Sequence, residues 1–83
     1  MIRPHDVEAF FKSNGADYAS CDIVVDGGQF AMVFLVLPGF PLRDEFSHCF
    51  RLDLRSGILS RHRGSPFLPS ELQAKLPKGW TFR

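Results

Sequence analysis

The spacing of hydrophobic and polar residues predicts a helix at the start of the chain. Val7, Phe10 and Phe11 recur at helical spacing, so they share one face of a helix over residues 4–14. Pro4 suits the first turn, where its missing N–H costs nothing, and an Asn-Gly pair ends the segment. We therefore expect a short amphipathic helix here.

The pattern then changes to the alternation of a β-hairpin. Residues 21–26 alternate as one strand and residues 29–37 return as a second. Between them, Gly27-Gly28 is suited to a two-residue turn, because such turns need positive φ angles that glycine adopts without steric cost. The turn predicts the register of the hairpin.

That register decides which side chains enter the core. It makes Val25 oppose Phe30 and Ile23 oppose Met32, so these residues form the predicted core face. The same face is completed by two further apolar residues of the second strand, Phe34 and Val36. The opposite face mixes acidic and aliphatic residues: Asp22, Val24, Asp26, Ala31, Val33 and Leu35. Such a face needs cover, either from a helix or the Trp80 segment, or from a second copy of the chain.

Three further elements follow. Residues 46–54 and 58–63 form a second hairpin, in which Gly57 suits a left-handed turn position. Residues 70–76 are a short helix bounded by prolines, and residues 80–82 alternate like a last extended piece.

The predicted register of the second hairpin separates apolar from charged residues. A three-residue loop pairs Leu54 with Ile58 and Leu52 with Ser60, which makes one face largely apolar. The other face carries charged residues with one leucine among them: Arg51, Asp53, Leu59, Arg61 and Arg63. Two readings of this face stay open, a solvated surface with an internal salt bridge or a site for an anion or an acidic partner.

Together these elements predict an α+β fold with a single domain over residues 1–83. The order is α-β-β-β-β-α, a four-stranded antiparallel β-meander with an N-terminal helix and a short C-terminal helix. A chain of 83 residues with 45% hydrophobic content can bury one core. The longest apolar run covers residues 30–37, well short of the about 18 residues that a membrane span needs.

The cysteines and histidines exclude several kinds of site. Cys21 and Cys49 are too few for a disulfide scaffold, and the first residues lack the apolar run of a signal peptide, so we expect a reduced, cytoplasmic setting. Histidines 5, 48 and 62 have no metal-ligand spacing with the cysteines. We therefore expect no metal and no cofactor.

Charge is distributed unevenly along the chain. Residues 1–42 contain two basic and five acidic residues, whereas residues 43–83 contain eight basic and four acidic ones. The formal net charge is only +1, less than most dedicated nucleic-acid-binding domains carry. The pattern also suits a protein-binding patch.

The sequence contains no strong pattern of catalytic residues. Asp22 and Asp26 would lie about 13 Å apart on a strand, beyond the roughly 5–9.5 Å of a glycosidase pair. A metal-independent ribonuclease remains an alternative, because it needs only a general base or acid and arginines that hold phosphate charge, and Arg61-His62-Arg63 with His48 could provide them. We assign no catalytic residue.

The sequence therefore favours a small non-enzymatic protein-interaction module, such as an inhibitor or accessory factor of the kind that mobile elements encode. Its expected partner is a protein with an acidic surface, or a second copy of the chain. The residues expected to bind that partner are basic: Arg51, Arg55, Arg61 and Arg63. The residues expected in a dimer face are aliphatic: Val24, Val33 and Leu35. Nucleic-acid binding by the arginine-rich hairpin is the first alternative, and no membrane partner is expected.

Overall fold

The computed structural model describes residues 1–24, 26–39 and 48–83, with the backbone alone at Asp26. It confirms the predicted α+β class and the order of the elements. The helices and strands are α1 (Pro4–Ser13), β1 (Tyr18–Ile23), β2 (Phe30–Val36), β3 (His48–Asp53), β4 (Ile58–Arg61), α2 (Ser70–Lys75) and β5 (Thr81–Phe82). Within these ranges, neither helix combines the length and the apolar character needed to cross a membrane.

The strands form one sheet in the order β1-β2-β3-β4-β5, so the described residues give five strands where four were predicted. Neighbours from β1 to β4 are antiparallel, whereas β5 runs parallel to β4. The additional strand is the extended piece expected near residue 80. Its backbone is held to the hairpin of β3 and β4, because the N–H of Arg83 donates to the carbonyl of Leu59 at 2.8 Å.

Helix α1 covers one face of the sheet. Val7 and Phe11 are fully buried in the core, as their spacing predicts. The helix ends at Asn14, whose side-chain N–H donates to the carbonyl of Phe10 at 2.8 Å. Phe10 also packs edge to face against Trp80, with ring centroids 5.5 Å apart, so the segment before β5 contacts the first helix.

The register of the first hairpin differs from the prediction by one residue. Ile23 pairs with Ala31 and Asp22 pairs with Met32, so the predicted pairing of Ile23 with Met32 is wrong. Because side chains alternate along a strand, shifting β2 by one residue against β1 moves every side chain of β2 to the other face.

The turn explains the shift. Val24 donates its backbone N–H to the carbonyl of Phe30 at 3.1 Å, so the connection covers residues 25–29 and is longer than a two-residue turn. Asp26–Gly28 forms a 3₁₀ turn in which both glycines have positive φ angles. The partner predicted for Phe30, Val25, lies outside the described residues.

Side-chain size distinguishes the two faces of β1 and β2. The face under α1 is lined by mostly small buried residues: Ala19, Cys21, Ala31, Val33 and Leu35. The residues expected in the core are half-buried on the opposite face: Phe30, Met32, Phe34 and Val36. Small side chains let the helix approach the sheet closely, which is why the bulky residues of β2 point the other way.

The dimer face expected from the sequence is therefore corrected. Val33 and Leu35 have no exposed surface, because they lie in the core cluster with Phe11 of α1. Cover by a helix was one of the two expectations for this face, and α1 supplies it. Val24 is half exposed at the end of β1.

The second hairpin is also shifted by one residue. Leu52 pairs with Leu59 and Phe50 pairs with Arg61, so the predicted pairing of Leu52 with Ser60 is wrong. Leu59, expected on the charged face, is fully buried.

The turn between β3 and β4 joins distant parts of the chain. Gly57 has a φ of +77°, which confirms the left-handed position predicted for it. The carbonyl of Leu54 accepts a hydrogen bond from the backbone N–H of Ile2, and that of Gly57 accepts one from Thr81, each at 2.9 Å. A residue that precedes α1 and a residue of β5 are thus bonded to one turn.

Candidate functional site

The sheet face opposite α1, referred to below as the outer face, carries a shallow cavity of about 130 Å³. Its lining residues come from β2, β3 and β4. We refer to them as the Phe30–Arg51 patch: Phe30, Arg51, Asp53, Ile58 and Ser60. Alternation along adjacent strands brings these side chains to one side of the sheet. The patch is therefore built on hydrogen-bonded strands, which hold binding groups more firmly than loops do.

An arginine stacked on an aromatic ring forms the centre of the patch. The guanidinium carbon of Arg51 lies 4.0 Å from the centroid of the Phe30 ring. A cation–π contact of this kind contributes about 0.5–1 kcal/mol at an exposed site. Arg51 is exposed, and no carboxylate in the described ranges forms an ion pair with it. Its N–H donors are thus available to a partner in a restricted orientation.

Asp53 organises the turn at the edge of the patch. One carboxylate oxygen accepts the backbone N–H of Arg55 at 2.9 Å and that of Ser56 at 3.3 Å, while the other accepts the side-chain amide of Gln29 at 3.3 Å. These bonds hold the pKa of Asp53 below its ordinary value, and the bond from Arg55 has the largest effect. Asp53 is therefore ionised at neutral pH, and its charge is directed at the turn.

The four arginines expected to form one basic patch are separated. Arg51 lies on the outer face opposite Ser60, whereas Arg61 pairs with Phe50 on the other face. The guanidinium of Arg61 stacks 4.0 Å above the ring of Phe67. The remaining two, Arg55 and Arg63, are exposed at opposite ends of the hairpin, so the expected juxtaposition of Arg51 and Arg61 is wrong.

The histidines are separated as well. His48 is only 1% exposed and lies in the core beside Phe50. Burial lowers the pKa of His48, with the backbone hydrogen bond to Phe67 acting in the opposite direction, so the ring is neutral at pH 7. His62 follows β4 and is exposed. An acid–base pair of these two histidines is not assembled.

The two cysteines lie on opposite faces of the sheet. Cys21 is buried under α1, whereas Cys49 is half-buried on the outer face, and both are free thiols. Burial raises the pKa of each thiol. Asp22 is exposed on β1, and the side chain of Asp26 lies outside the described part of the chain. Among the described residues, no three His, Cys, Asp or Glu side chains are grouped so that they could hold a metal ion.

Sequence reasoning placed Arg51 and Asp53 on one face but missed the three other residues of the patch. Phe30 was expected in the core, Ile58 was paired with Leu54, and Ser60 was paired with Leu52. The useful signal for the faces of β2 was side-chain size. All residues of this strand are apolar, but large Phe30 is followed by small Ala31, and the small residue faces the helix. Comparison of the chain with known protein families, curated proteins and solved structures finds no match.

Proposed function

We propose that this chain is a small protein-interaction module, without catalytic chemistry of its own, that docks a partner protein on the Phe30–Arg51 patch. The observation that carries this proposal is the exposed guanidinium of Arg51 stacked on Phe30. Arginine and aromatic residues are enriched among the interface positions that contribute most to binding. An inhibitor or accessory factor would act through such a surface.

The chemistry of the patch defines the partner surface. Arg51 offers parallel N–H donors that match a carboxylate, and stacking on Phe30 reduces the entropy lost when that pair forms. Ile58 and the ring of Phe30 supply apolar contact beside the charge. Asp53 lies next to this position and repels a second anion. The fitting partner therefore presents a single Asp or Glu beside an aliphatic or aromatic side chain.

The positions of the titratable groups support a binding role over the ribonuclease alternative. His48 is enclosed in the core and His62 is exposed beyond β4, so they do not face a common substrate. Arg61, which would hold phosphate charge, is stacked on Phe67 on the other side of the sheet from Arg51.

A phage-displayed library of random peptides tests the proposal without a known partner. Peptides are selected on the parent protein and then measured on Arg51→Ala and on Arg63→Ala. The second variant is a matched control, because Arg63 is also exposed but lies outside the patch. We expect selected peptides to contain one acidic residue next to an apolar one, and to lose about tenfold or more in affinity on Arg51→Ala alone.

Two results would count against the proposal. Peptides without acidic residues would show that Arg51 does not select a carboxylate. Equal losses on Arg51→Ala and Arg63→Ala would show that general positive charge, and not the patch, causes binding.

Single-stranded nucleic acid is the second candidate ligand, because Phe30 is an aromatic ring beside the charge of Arg51, and bases stack on such rings. Fluorescence-anisotropy titrations with single-stranded DNA and RNA at several salt concentrations test it. Weak affinity that decreases with salt and is lost in both Phe30→Ala and Arg51→Ala would favour nucleic acid over a protein partner. The single arginine and the neighbouring Asp53 predict weak binding, with a shallow salt dependence.

A further inference from the structure

The backbone of β1 is at one edge of the sheet. Val24 donates its N–H to the carbonyl of Phe30 in β2 at 3.1 Å. Because hydrogen-bonding direction alternates along an antiparallel strand, the even-numbered residues of β1 bond to β2. The backbone N–H and C=O groups of Ala19, Cys21 and Ile23 therefore point away from the sheet.

A side chain of α1 forms a hydrogen bond with one of these outward-pointing backbone groups. Glu8 accepts the backbone N–H of Cys21 at 2.9 Å, which confirms that this N–H points outward. Within the described residues, the N–H of Ile23 has no such acceptor. The edge is thus satisfied at its middle and open toward the end of the strand.

The open end of the edge is apolar. Ile23 is 54% exposed and Val24 is 51% exposed, although both belong to residue types that are usually buried. Their side chains point to opposite faces of the sheet, so an added strand would find an apolar neighbour on each face. Exposed β-branched residues on an unpaired edge are suited to pairing with another strand.

Charge indicates the kind of strand that fits. Glu8 contacts this edge at Cys21, exposed Asp22 lies on β1, and exposed Asp17 immediately precedes the strand. A second copy of β1 would add its own acidic residues to an edge that is already acidic, which is unfavourable. A strand that carries lysine or arginine would meet opposite charge instead.

We infer that the β1 edge binds an extended, basic segment of a partner protein by strand addition. A carbonyl of the incoming strand takes the N–H of Cys21, and the displaced carboxylate of Glu8 pairs with a basic side chain of that strand. Ile23 and Val24 contact the apolar residues that alternate with the basic ones. This surface is separate from the Phe30–Arg51 patch, and the two bind partner segments of opposite charge.

The test uses a capped peptide of alternating lysine and valine, with a glutamate–valine peptide as the charge control. Backbone amide exchange of the full chain is followed by NMR. We expect the lysine peptide to slow exchange of the Ile23 amide by about tenfold or more when the site is saturated. The glutamate peptide should leave this amide unchanged. Protection by both peptides, or by neither, would overturn the inference.

Two variants of one position separate backbone pairing from side-chain contact. Ile23→Pro removes the outward N–H, a change that edge strands tolerate when that N–H faces solvent. Ile23→Ala keeps the donor and removes the apolar contact. We expect affinity for the lysine peptide to fall about tenfold or more in Ile23→Pro and less in Ile23→Ala. Equal affinities of Ile23→Pro and the parent would contradict strand addition.

Two further variants keep the test decisive. If Ile23→Pro does not fold, Glu8→Gln replaces it, since it removes the charge and keeps an acceptor for Cys21. Weaker binding of the lysine peptide supports the inference, and unchanged binding opposes it. Arg51→Ala should leave this peptide's affinity unchanged, so a failure at β1 is distinguishable from a failure of the proposed function.

Discussion

The carboxylate of Glu8 lies 2.9 Å from the backbone nitrogen of Cys21, which ties α1 to the edge strand. Burial, and then the negative charges of Glu8 and Asp22, raise the pKa of the Cys21 thiol to about 12. The same hydrogen bond satisfies an outward N–H at the middle of the edge strand.

The first prediction concerns the reactivity of this thiol. At pH 8 we expect iodoacetamide to modify Cys21 at least about a hundredfold more slowly in the native protein than in urea, because the thiolate is the reactive form. Half-buried Cys49 should react faster than Cys21. Mass spectrometry of the digested protein measures both rates. Similar native and denatured rates at Cys21 would contradict the burial of this thiol.

The second prediction concerns Gly57. A Cβ atom at this position would overlap the carbonyl oxygen of Gly79, and its φ of +77° is unfavourable for any other residue. We expect Gly57→Ala to lower the free energy of unfolding by at least about 2 kcal/mol, measured by urea denaturation. Gly64→Ala is the matched control, because Gly64 has a φ of +80° and nothing within 4 Å of the added atom. Equal losses would show that backbone strain alone matters.

The third prediction concerns pH. The pKa of His48 in the folded protein lies below 6.5, so the unfolded chain binds this proton more tightly. Stability from neutral His48 is therefore fully present above pH 6.5 and decreases as the pH falls toward the folded-state pKa. We expect the Tm to be lower at pH 5.5 than at pH 7.5. His48→Phe should reduce this difference, whereas His62→Ala should retain it, since His62 is exposed.

The fourth prediction tests the register of the sheet. Leu35→Ala should cost about 2–5 kcal/mol, because Leu35 is fully buried under α1. Met32→Ala should cost less than half as much, since Met32 is half-buried on the outer face. Guanidinium denaturation of both variants gives the two values. A larger loss at Met32 would mean that the register expected from the glycine turn is the correct one.

Local sequence signals predicted the elements but not their pairing. The spacing of Val7 and Phe11 sufficed for α1, because a helix needs contacts only within a few residues. The register of β1 and β2 depends on the number of residues in the turn, and Asp26–Gly28 adds a 3₁₀ turn that the Gly-Gly pair did not indicate. Residues 30–36 are all apolar, so alternation of polarity gave no second signal.

The candidate site was sensitive to the same error. The expectation that Arg51 and Arg61 share a face rested on a three-residue loop between β3 and β4. In the observed register, Arg51 stacks on Phe30 on one face of the sheet, and Arg61 stacks on Phe67 on the other. A cation–π pair between strands joins residues far apart in sequence, so it could not be predicted before the register was known.

The turn that bonds to both Ile2 and Thr81 also has a consequence for the speed of folding. Each bond closes a long loop, because its partners are distant in sequence, and loop closure costs entropy before the contact stabilises anything. Forming the hairpin of β3 and β4 therefore leaves these two bonds still to be made. We expect the domain to fold more slowly than a helical bundle of equal length, in a single step that includes its first and last elements.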